Sequence, residues 1–376
     1  MKKEYEIRPY HHGDEDEIVQ LLELVFDGWP KFDLSCTSID HWRWKYLDNP
    51  FKTKFIVLGT SDHRIIGVIH SVPMRIIIGD ESFFSAYAGD VVVHPTFRRK
   101  GVNSKMRTYV IESFRAAGIK TYFSVTDNPV VIRWWTRMGV PRFPHKITNL
   151  VNIKCINKQL QAMPVKNAWL MKLGFNVAKI INNIRNAIER FEPDDIDKCI
   201  HEIHRFDDRI DVFWKEVSDH HKFIIERNKN YLNWRYCDPR AGDFVVKQAE
   251  DCEGRVLGYC VLRINRYLRE YPIGYFIDLL TLPDRLDVAY QLVGEAVRYF
   301  DRQDINIVNA LMVKHHPYEK VLKSFGFLDS RIKLQLFLSP LEKVDKLKKL
   351  ETDPTYKIHF SYGDIDSLPT TMPDNM

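Results

Sequence analysis

The apolar positions change period several times along the chain, and each change marks an element. Tyr5 and Ile7 alternate with Glu6 and Arg8, which predicts a short strand over residues 5–10. After a polar turn at 11–16, Ile18, Leu21, Leu22, Leu24, Val25 and Phe26 fall on one face of an amphipathic helix. The stretch 40–50 reads as a short helix stopped by Pro50. Residues 55–59 and 65–72 form a strand pair around the turn Ser61-Asp62-His63, with 74–78 extending the sheet to a turn at Gly79-Asp80. Residues 84–93 make the next strand. Met106, Tyr109, Val110, Phe114 and Ala117 then recur at helical spacing up to Gly118, and residues 121–125 return to a strand. The order from Tyr5 to about Val140 is β-α-α-β-β-β-α-β.

Between the strand ending at Val93 and the helix that follows lies Asp90-Val91-Val92-Val93-His94-Pro95-Thr96-Phe97-Arg98-Arg99-Lys100-Gly101-Val102-Asn103-Ser104. A helix start presents unpaired N–H groups and a partial positive charge. Gly101 lets the backbone approach a ligand, and Arg98, Arg99 and Lys100 add charge-assisted donors. This combination suits a polyphosphate. Neither G-x-x-x-x-G-K-[ST] nor G-x-G-x-x-G is present, which excludes the P-loop and dinucleotide fingerprints.

The run resembles motif A of the GNAT superfamily of N-acetyltransferases, [QR]-x-x-G-x-[GA], with Arg98, Gly101 and Asn103 on its fixed positions. Asn103 replaces the usual glycine or alanine. The resemblance implies that the loop holds the pyrophosphate of acetyl-CoA, through Arg98, Arg99, Lys100, Gly101, Val102, Asn103 and Ser104. It also implies that a backbone N–H within Val91, Val92 or Val93 polarises the thioester. The β-α order fits the GNAT fold. A second resemblance follows at 126–140, where Asn128 and Gly139 match N-x-x-A-x-x-x-Y-x-x-x-G-F. Asn128 is then a further cofactor-binding residue or a plain helix N-cap. Trp135 stands where the family often has the tyrosine that protonates the departing thiolate, a task closed to an indole N–H.

Trp44-Lys45-Tyr46-Leu47-Asp48 recurs as Trp234-Arg235-Tyr236-Cys237-Asp238, the Asp90 strand end as Asp278-Leu279-Leu280-Thr281-Leu282-Pro283, and Met138-Gly139-Val140 as Phe325-Gly326-Phe327, at spacings matched within two residues. The chain therefore reads as two tandem GNAT-like units of mixed-sheet α/β (α+β) class. Their expected bounds are 1–150 for the unit with the acetyl-CoA loop and 196–340 for a degenerate second unit. Residues 151–195 would be a basic helical connector and 341–376 a tail. The stretch 227–236 also resembles the R-x-x-x-Y-L-x-W-R-[YF] run of tandem bacterial and archaeal GNATs. The second unit lacks the cationic loop. It has Asp284 and Asp287 there, His315 opposite Asn128, and Leu322 opposite Trp135, so it is not expected to bind CoA. The connector carries Lys154, Lys158, Lys166, Lys172, Lys179, Arg185 and Arg190 against Glu189, with apolar residues that suit a helix packed between units from about Asn167 or, less readily, a basic amphipathic surface for a membrane or an acidic partner. In the tail, residues 356–360 read as a strand. Gly363-Asp364-Ile365-Asp366 reads as a solvated turn or, if extended, as two carboxylates facing an amine.

Composition narrows the class. The formal charge of +5 over 376 residues favours an anionic ligand but is too small to argue for nucleic acid. The six cysteines are scattered without C-x-x-C, which points to a reduced, cytoplasmic setting and against a metal centre. No signal core or membrane-length apolar run is present. Acetyl transfer needs an amine to lose its proton from a pKa of about 10.4. Asp90, beside the thioester-facing strand, is the general-base candidate, with Tyr87, His94 and His70 as others. Asp278 keeps the carboxylate where the loop is lost, which also suits a structural role. The expected activity is acetyl-CoA-dependent N-acetylation of a small-molecule or peptide amine. A Fem-type aminoacyl or peptidyl transferase and a non-catalytic acyl-CoA-binding module are the alternatives.

Overall fold

The computed structural model describes residues 5–158, 198–330, 332, 334–342, 346–365 and 368; the expected connector helix from about Asn167 lies outside them. The first sheet runs β1 (Glu6–Pro9), β2 (Phe55–Ser61), β3 (Arg64–Ile78), β4 (Glu81–Val93), β5 (Thr121–Thr126) and β14 (Gln335–Pro340), with β8 (Phe223–Ile225) pairing on β3. The second runs β13 (Leu328–Asp329), β6 (Ile147–Ile153), β12 (Ile307–Val313), β11 (Ile273–Thr281), β10 (Val256–Asn265), β9 (Phe244–Asp251) and β7 (Lys198–Ile203). Both are mixed: β4 with β5 and β11 with β12 are parallel, the other neighbours antiparallel. The fold is thus α/β, with two GNAT-like units in tandem.

The units exchange strands. β6, from the first half of the chain, runs antiparallel to β12, and β14, from the second half, runs antiparallel to β5. Residue 150, where the sequence places the end of the first unit, falls inside β6. The separate predicted strands 65–72 and 74–78 are one strand, β3, because Pro73 continues the pairing with Ala86. The tail does not form a strand at 356–360. A 3₁₀ turn spans Thr355–Lys357, and Ile358 makes a single bridge to Phe223.

Helices α1 (Glu15–Phe26) and α2 (Ser38–Tyr46) cover one face of the first sheet, and α3 (Val102–Ala116) the other. α3 lies close because the strands beneath it carry glycines. A Cβ on Gly59 would come within 2.9 Å of Val102 Cγ1, and one on Gly67 within 2.9 Å of Met106 Cε. The face under α3 has its own core of Phe55, Ile66, Ile69, Met106 and Phe114. The opposite face opens into a larger core that runs without a break from Ile18, Trp42 and Val72 to Phe213, Leu262 and Leu292 of the second unit. In that unit α5 (Arg209–His220) and α7 (Leu286–Asp301) pack on β10, and α6 (Lys229–Leu232) leads into a π-helical turn over Asn233–Cys237.

The repeated tryptophans meet at the join. Trp44 and Trp234 stack at 5.1 Å and 25°. Each indole N–H donates to the other's carbonyl, at 2.9 Å from Trp44 and 3.1 Å from Trp234. Since the core is continuous, both units should unfold in one calorimetric transition. Trp44→Ala should lower its midpoint, costing about 3–5 kcal/mol, without splitting it; two separate transitions in the wild type would count against a shared core.

Candidate active site

The phosphate-type loop is built as a strand-to-helix turn. Pro95–Phe97 forms a 3₁₀ turn capped by the His94 side chain, which accepts from Thr96 N–H. Arg99 (φ 64°) and Gly101 (φ 84°) then turn the chain through the left-handed region. The Tyr5 hydroxyl donates to the Lys100 carbonyl at 3.0 Å and fixes the turn against β1. The first intrahelical bond of α3 is Lys105 N–H to Gly101 carbonyl at 3.2 Å. The N–H groups of Val102, Asn103 and Ser104 precede it, with no side-chain cap and no acid in the first turn. Their positive end is therefore left to a ligand.

These groups face a groove with about 760 Å³ of empty space, lined by Val91, Val92, Val93, Arg98, Arg99, Gly101, Val102, Asn103 and Ser104, with Val25 and Phe97. Of the residues singled out from the sequence, Val91, Val92, Val93, Arg98, Arg99, Gly101, Val102, Asn103 and Ser104 line this groove, and Lys100, Asn128 and Asp90 do not. Lys100 Nζ lies over the Phe97 ring at 4.9 Å. Asn128 caps α4 (Pro129–Arg137), its side chain accepting from Val130 N–H at 2.9 Å, and does not line the groove. Trp135 is also a packing residue, 3% exposed and stacked on Phe337 at 6.0 Å.

β4 pairs with β5 only from Ser85 to Tyr87. Opposite His70 the register slips, so that Gly89 and Asp90 form a bulge and the strand swings away. Asp90 sits at that bend. Its Oδ2 accepts from Tyr46 Oη at 2.6 Å, Lys45 Nζ at 3.0 Å and Trp29 Nε1 at 3.1 Å. Burial alone would raise this carboxyl, but Lys45, the Tyr46 hydroxyl and His70 outweigh it and hold the pKa at about 2. Three donors on one oxygen and so low a pKa make Asp90 a weak proton acceptor. Its side chain remains about 20% exposed.

The other base candidates are placed as follows. His70 is fully buried and stacks on Tyr46 at 4.1 Å. An indole can only donate, so His70 Nε2 accepts from Trp42 at 2.9 Å, leaving Nδ1–H for the Asp90 carbonyl at 3.2 Å. Burial pulls its pKa down to about 4, so it is neutral near pH 7. Tyr87 is 4% exposed, and His94 is taken up in the turn it caps.

The second unit repeats the scaffold and fills the space. Asp278 also sits at a bulge. It pairs with Arg227 (3.1 Å), His359 (3.1 Å), Ser361 (2.8 Å) and Tyr259 (3.0 Å), and it is fully buried. Tyr236, the counterpart of Tyr46, lies 3.5 Å away. Thr281 occupies the place of Val93. Its N–H is already taken by the Tyr318 hydroxyl at 3.0 Å. Arg285 folds onto Asp287 in the first turn of α7. The helix α8 (Pro317–Ser324) is capped by His316, so the counterpart of the Asn128 cap is His316 and not His315, which instead turns with φ 67°.

A cleft between the units holds about 600 Å³ of empty space, part of it open to solvent. Phe32, His41, Trp44, Lys45, Met74 and Tyr87 line it from the first unit, and Tyr231, Trp234, Arg235, Phe244, Arg263, Ile277 and Asp364 from the second. Lys45 lines the cleft and also holds Asp90, whose successors Val91–Val93 line the groove; this cluster therefore stands between the two spaces. Asp364 is not on a solvated turn: it is 1% exposed, ion-paired to Arg227 at 2.5 Å, and closes a capping box with Ser361. Burial raises its carboxyl. Asp366 lies outside the described residues. Reading the sequence missed Trp29, Arg235 and Arg263 as cleft or cluster residues; the repeated Trp-Lys/Arg-Tyr triplet was the signal for Arg235.

An uncapped helix start beside a diverging pair of parallel strands, with a carboxylate at the bend, defines a GNAT-fold acyltransferase. Residues 6–129 match the family described as acetyltransferase (GNAT) domain. No curated protein sequence matches. Among solved structures, the chain is similar to a conserved protein of unknown function and probable N-acyltransferase from Enterococcus faecalis V583, at 9% identity and a TM-score of 0.60, covering 89% of this chain and 72% of that one. It is similar also to Saccharomyces cerevisiae N-myristoyltransferase with bound myristoyl-CoA, at 11% identity and a TM-score of 0.60, covering 90% and 80%. The fold they share spans both units. Among the described residues no helix is long and apolar enough to cross a membrane.

The Asp90 cluster carries a pH signature. The carboxyl falls from an ordinary 3.8 to about 2 on folding, so its contribution is complete above about pH 4 and is lost as the pH drops toward 2. Asp90→Asn should therefore destabilise the protein at pH 7, and the gap to wild type in urea midpoint should narrow by pH 3.

Proposed function

We propose that the protein is an acetyl-CoA-dependent N-acetyltransferase for a primary amine, with its active site in the N-terminal unit. The observation that carries this reading is the uncapped, acid-free start of α3, which opens with Arg98, Arg99 and Gly101 into a groove continuous with Val91–Val93. Three backbone N–H groups and two guanidiniums suit a pyrophosphate. The charged Asp90–Lys45 pair at the bend, just beyond the Val91–Val93 wall, is a poor neighbour for a long alkyl chain, which favours a short acyl group over the myristoyl-CoA bound by the yeast enzyme. Six free cysteines fit a reducing, cytoplasmic setting.

In the proposed reaction the neutral amine attacks the thioester carbonyl. The N–C bond forms, the C–S bond breaks, and the proton lost from nitrogen ends on the released thiol. A strand N–H within Val91–Val93 polarises the carbonyl. Asp90, with its pKa at about 2, serves by orienting the amine and by holding Lys45 and Tyr46 in place rather than by storing the proton. The Lys45 charge nearby favours the neutral form of an amine. Trp135 is buried away from the groove, so proton delivery to the thiolate falls to water or to another group.

Thiol release from acetyl-CoA in the presence of an amine panel tests the activity. Its absence with every amine, in a chain that still binds acetyl-CoA, would leave a binding module. Calorimetric titration should give one CoA per chain. Combining Arg98→Ala with Gly101→Asp should weaken that binding at least about 30-fold, by removing one charge-assisted donor and setting a carboxylate against phosphate. Equal affinities would move the site elsewhere.

A further inference from the structure

The cleft between the units contains two guanidiniums that, among the described residues, make no ion pair. Arg263 is 4% exposed. Its Nη1 donates to the Ala241 carbonyl at 3.3 Å and its Nη2 to the Asp33 carbonyl at 3.1 Å, while Nε has no partner. The group lies over the rings of Phe32 (4.3 Å) and Phe244 (5.0 Å). It also rests on Gly242, where a Cβ would come within 2.4 Å of Nη2. The site is therefore shaped to receive a guanidinium and hold it flat. Arg235, which is half-buried, donates to the carbonyls of Gly363 at 3.4 Å and Ile365 at 2.5 Å.

Arginine buried in a protein is ordinarily paired. Here, among the described residues, no carboxylate reaches salt-bridge distance of either one. Asp364, which shares the cleft, is already paired with Arg227. Burial, together with the charge of Arg235, pulls the Arg263 pKa down to about 10, with Asp33 and Asp243 opposing at longer range. Two like charges, one of them with an unmade hydrogen bond, are retained in an aromatic cleft beside the Asp90 cluster.

We infer that Arg263 and Arg235 recognise a carboxylate on the acceptor, so that the substrate class is an amino acid or another amine bearing an acid group and an apolar body. A carboxylate is planar and singly charged, which matches a flat guanidinium and two aromatic walls. A phosphate dianion would be far costlier to desolvate there. This inference rests on the acetyltransferase reading only in naming the ligand as acceptor; the recognition itself is a binding property.

The test uses the full chain without acyl-CoA. L-Phenylalanine, L-tryptophan, L-methionine and 4-aminobenzoate are titrated calorimetrically, each against its own carboxamide. At least one acid should bind about 10–100-fold more tightly than its amide. Arg263→Gln should abolish that difference and Arg235→Gln reduce it. Arg263→Lys, which keeps the charge and loses the planar fork, should retain part of it. Undiminished CoA binding shows that each variant is folded; should Arg263→Gln fail to fold, the other two carry the test. No acid–amide difference in any pair, or a difference unchanged by the variants, overturns the inference. Thiol release measured on the same pairs separates the two readings. Acid-selective binding without turnover would sink the acetyltransferase and leave the carboxylate site standing, and turnover that ignores the acid group would do the reverse.

Discussion

The reciprocal bond between Trp44 and Trp234 sets the geometry on which the site depends. Each indole donates to the other's backbone, so the two segments are locked in register as well as in contact. The next residues inherit that position. Lys45 and Tyr46 reach Asp90 on one side, and Arg235 and Tyr236 reach the tail and Asp278 on the other. Arg240 reinforces the join by bridging Asp238 and Asp48, the two aspartates that end the repeated segment. A shift of either segment would therefore disturb a carboxylate cluster and a wall of the cleft together.

One scaffold has two outcomes. In both units a bulge turns a strand away from its parallel neighbour and leaves an aspartate at the bend. In the first, that aspartate is held by a lysine and two aromatic donors and stays partly exposed, and the strand beyond it borders a groove. In the second, Arg227, His359 and Ser361 enclose the aspartate, Tyr318 takes up the strand N–H, and residues 358–361 line the gap between β11 and β12. A buried charge network of this kind is costly to break, because each partner removed strands another. It suits a unit whose strand end serves as support.

Much of the site was legible because it is local. Arg98, Gly101 and the helix after them stand within a few residues of Val93, and a strand-to-helix turn rich in cations has few other physical uses. The role of Asp90 was less legible, since Lys45, Tyr46 and Trp29 approach it from more than forty positions away. Asn128 illustrates the converse. Its motif was present, but an N-cap and a ligand contact ask for the same side chain, and the cap is what the geometry uses. Asp364 read as solvated because glycine and acids usually mark turns, yet Arg227, over a hundred residues away, makes its burial tolerable. Arg263 offered no local pattern: it is one arginine in an apolar strand, and its surroundings come from Phe32 and Phe244, distant in sequence.

The exchange of β6 and β14 has a consequence for how the chain is made. On the ribosome, the first sheet lacks the strand that borders β5 until residues 335–340 have been synthesised, although nearly all its other strands were complete far earlier. Until then the outer edge of β5 offers unpaired backbone groups to any neighbouring chain. β6 waits in the same way for β12, made some 150 residues later, a delay on the order of tens of seconds at most. The nascent half is thus a template in search of a strand, and the supply of that strand ties completion of the first unit to synthesis of the second.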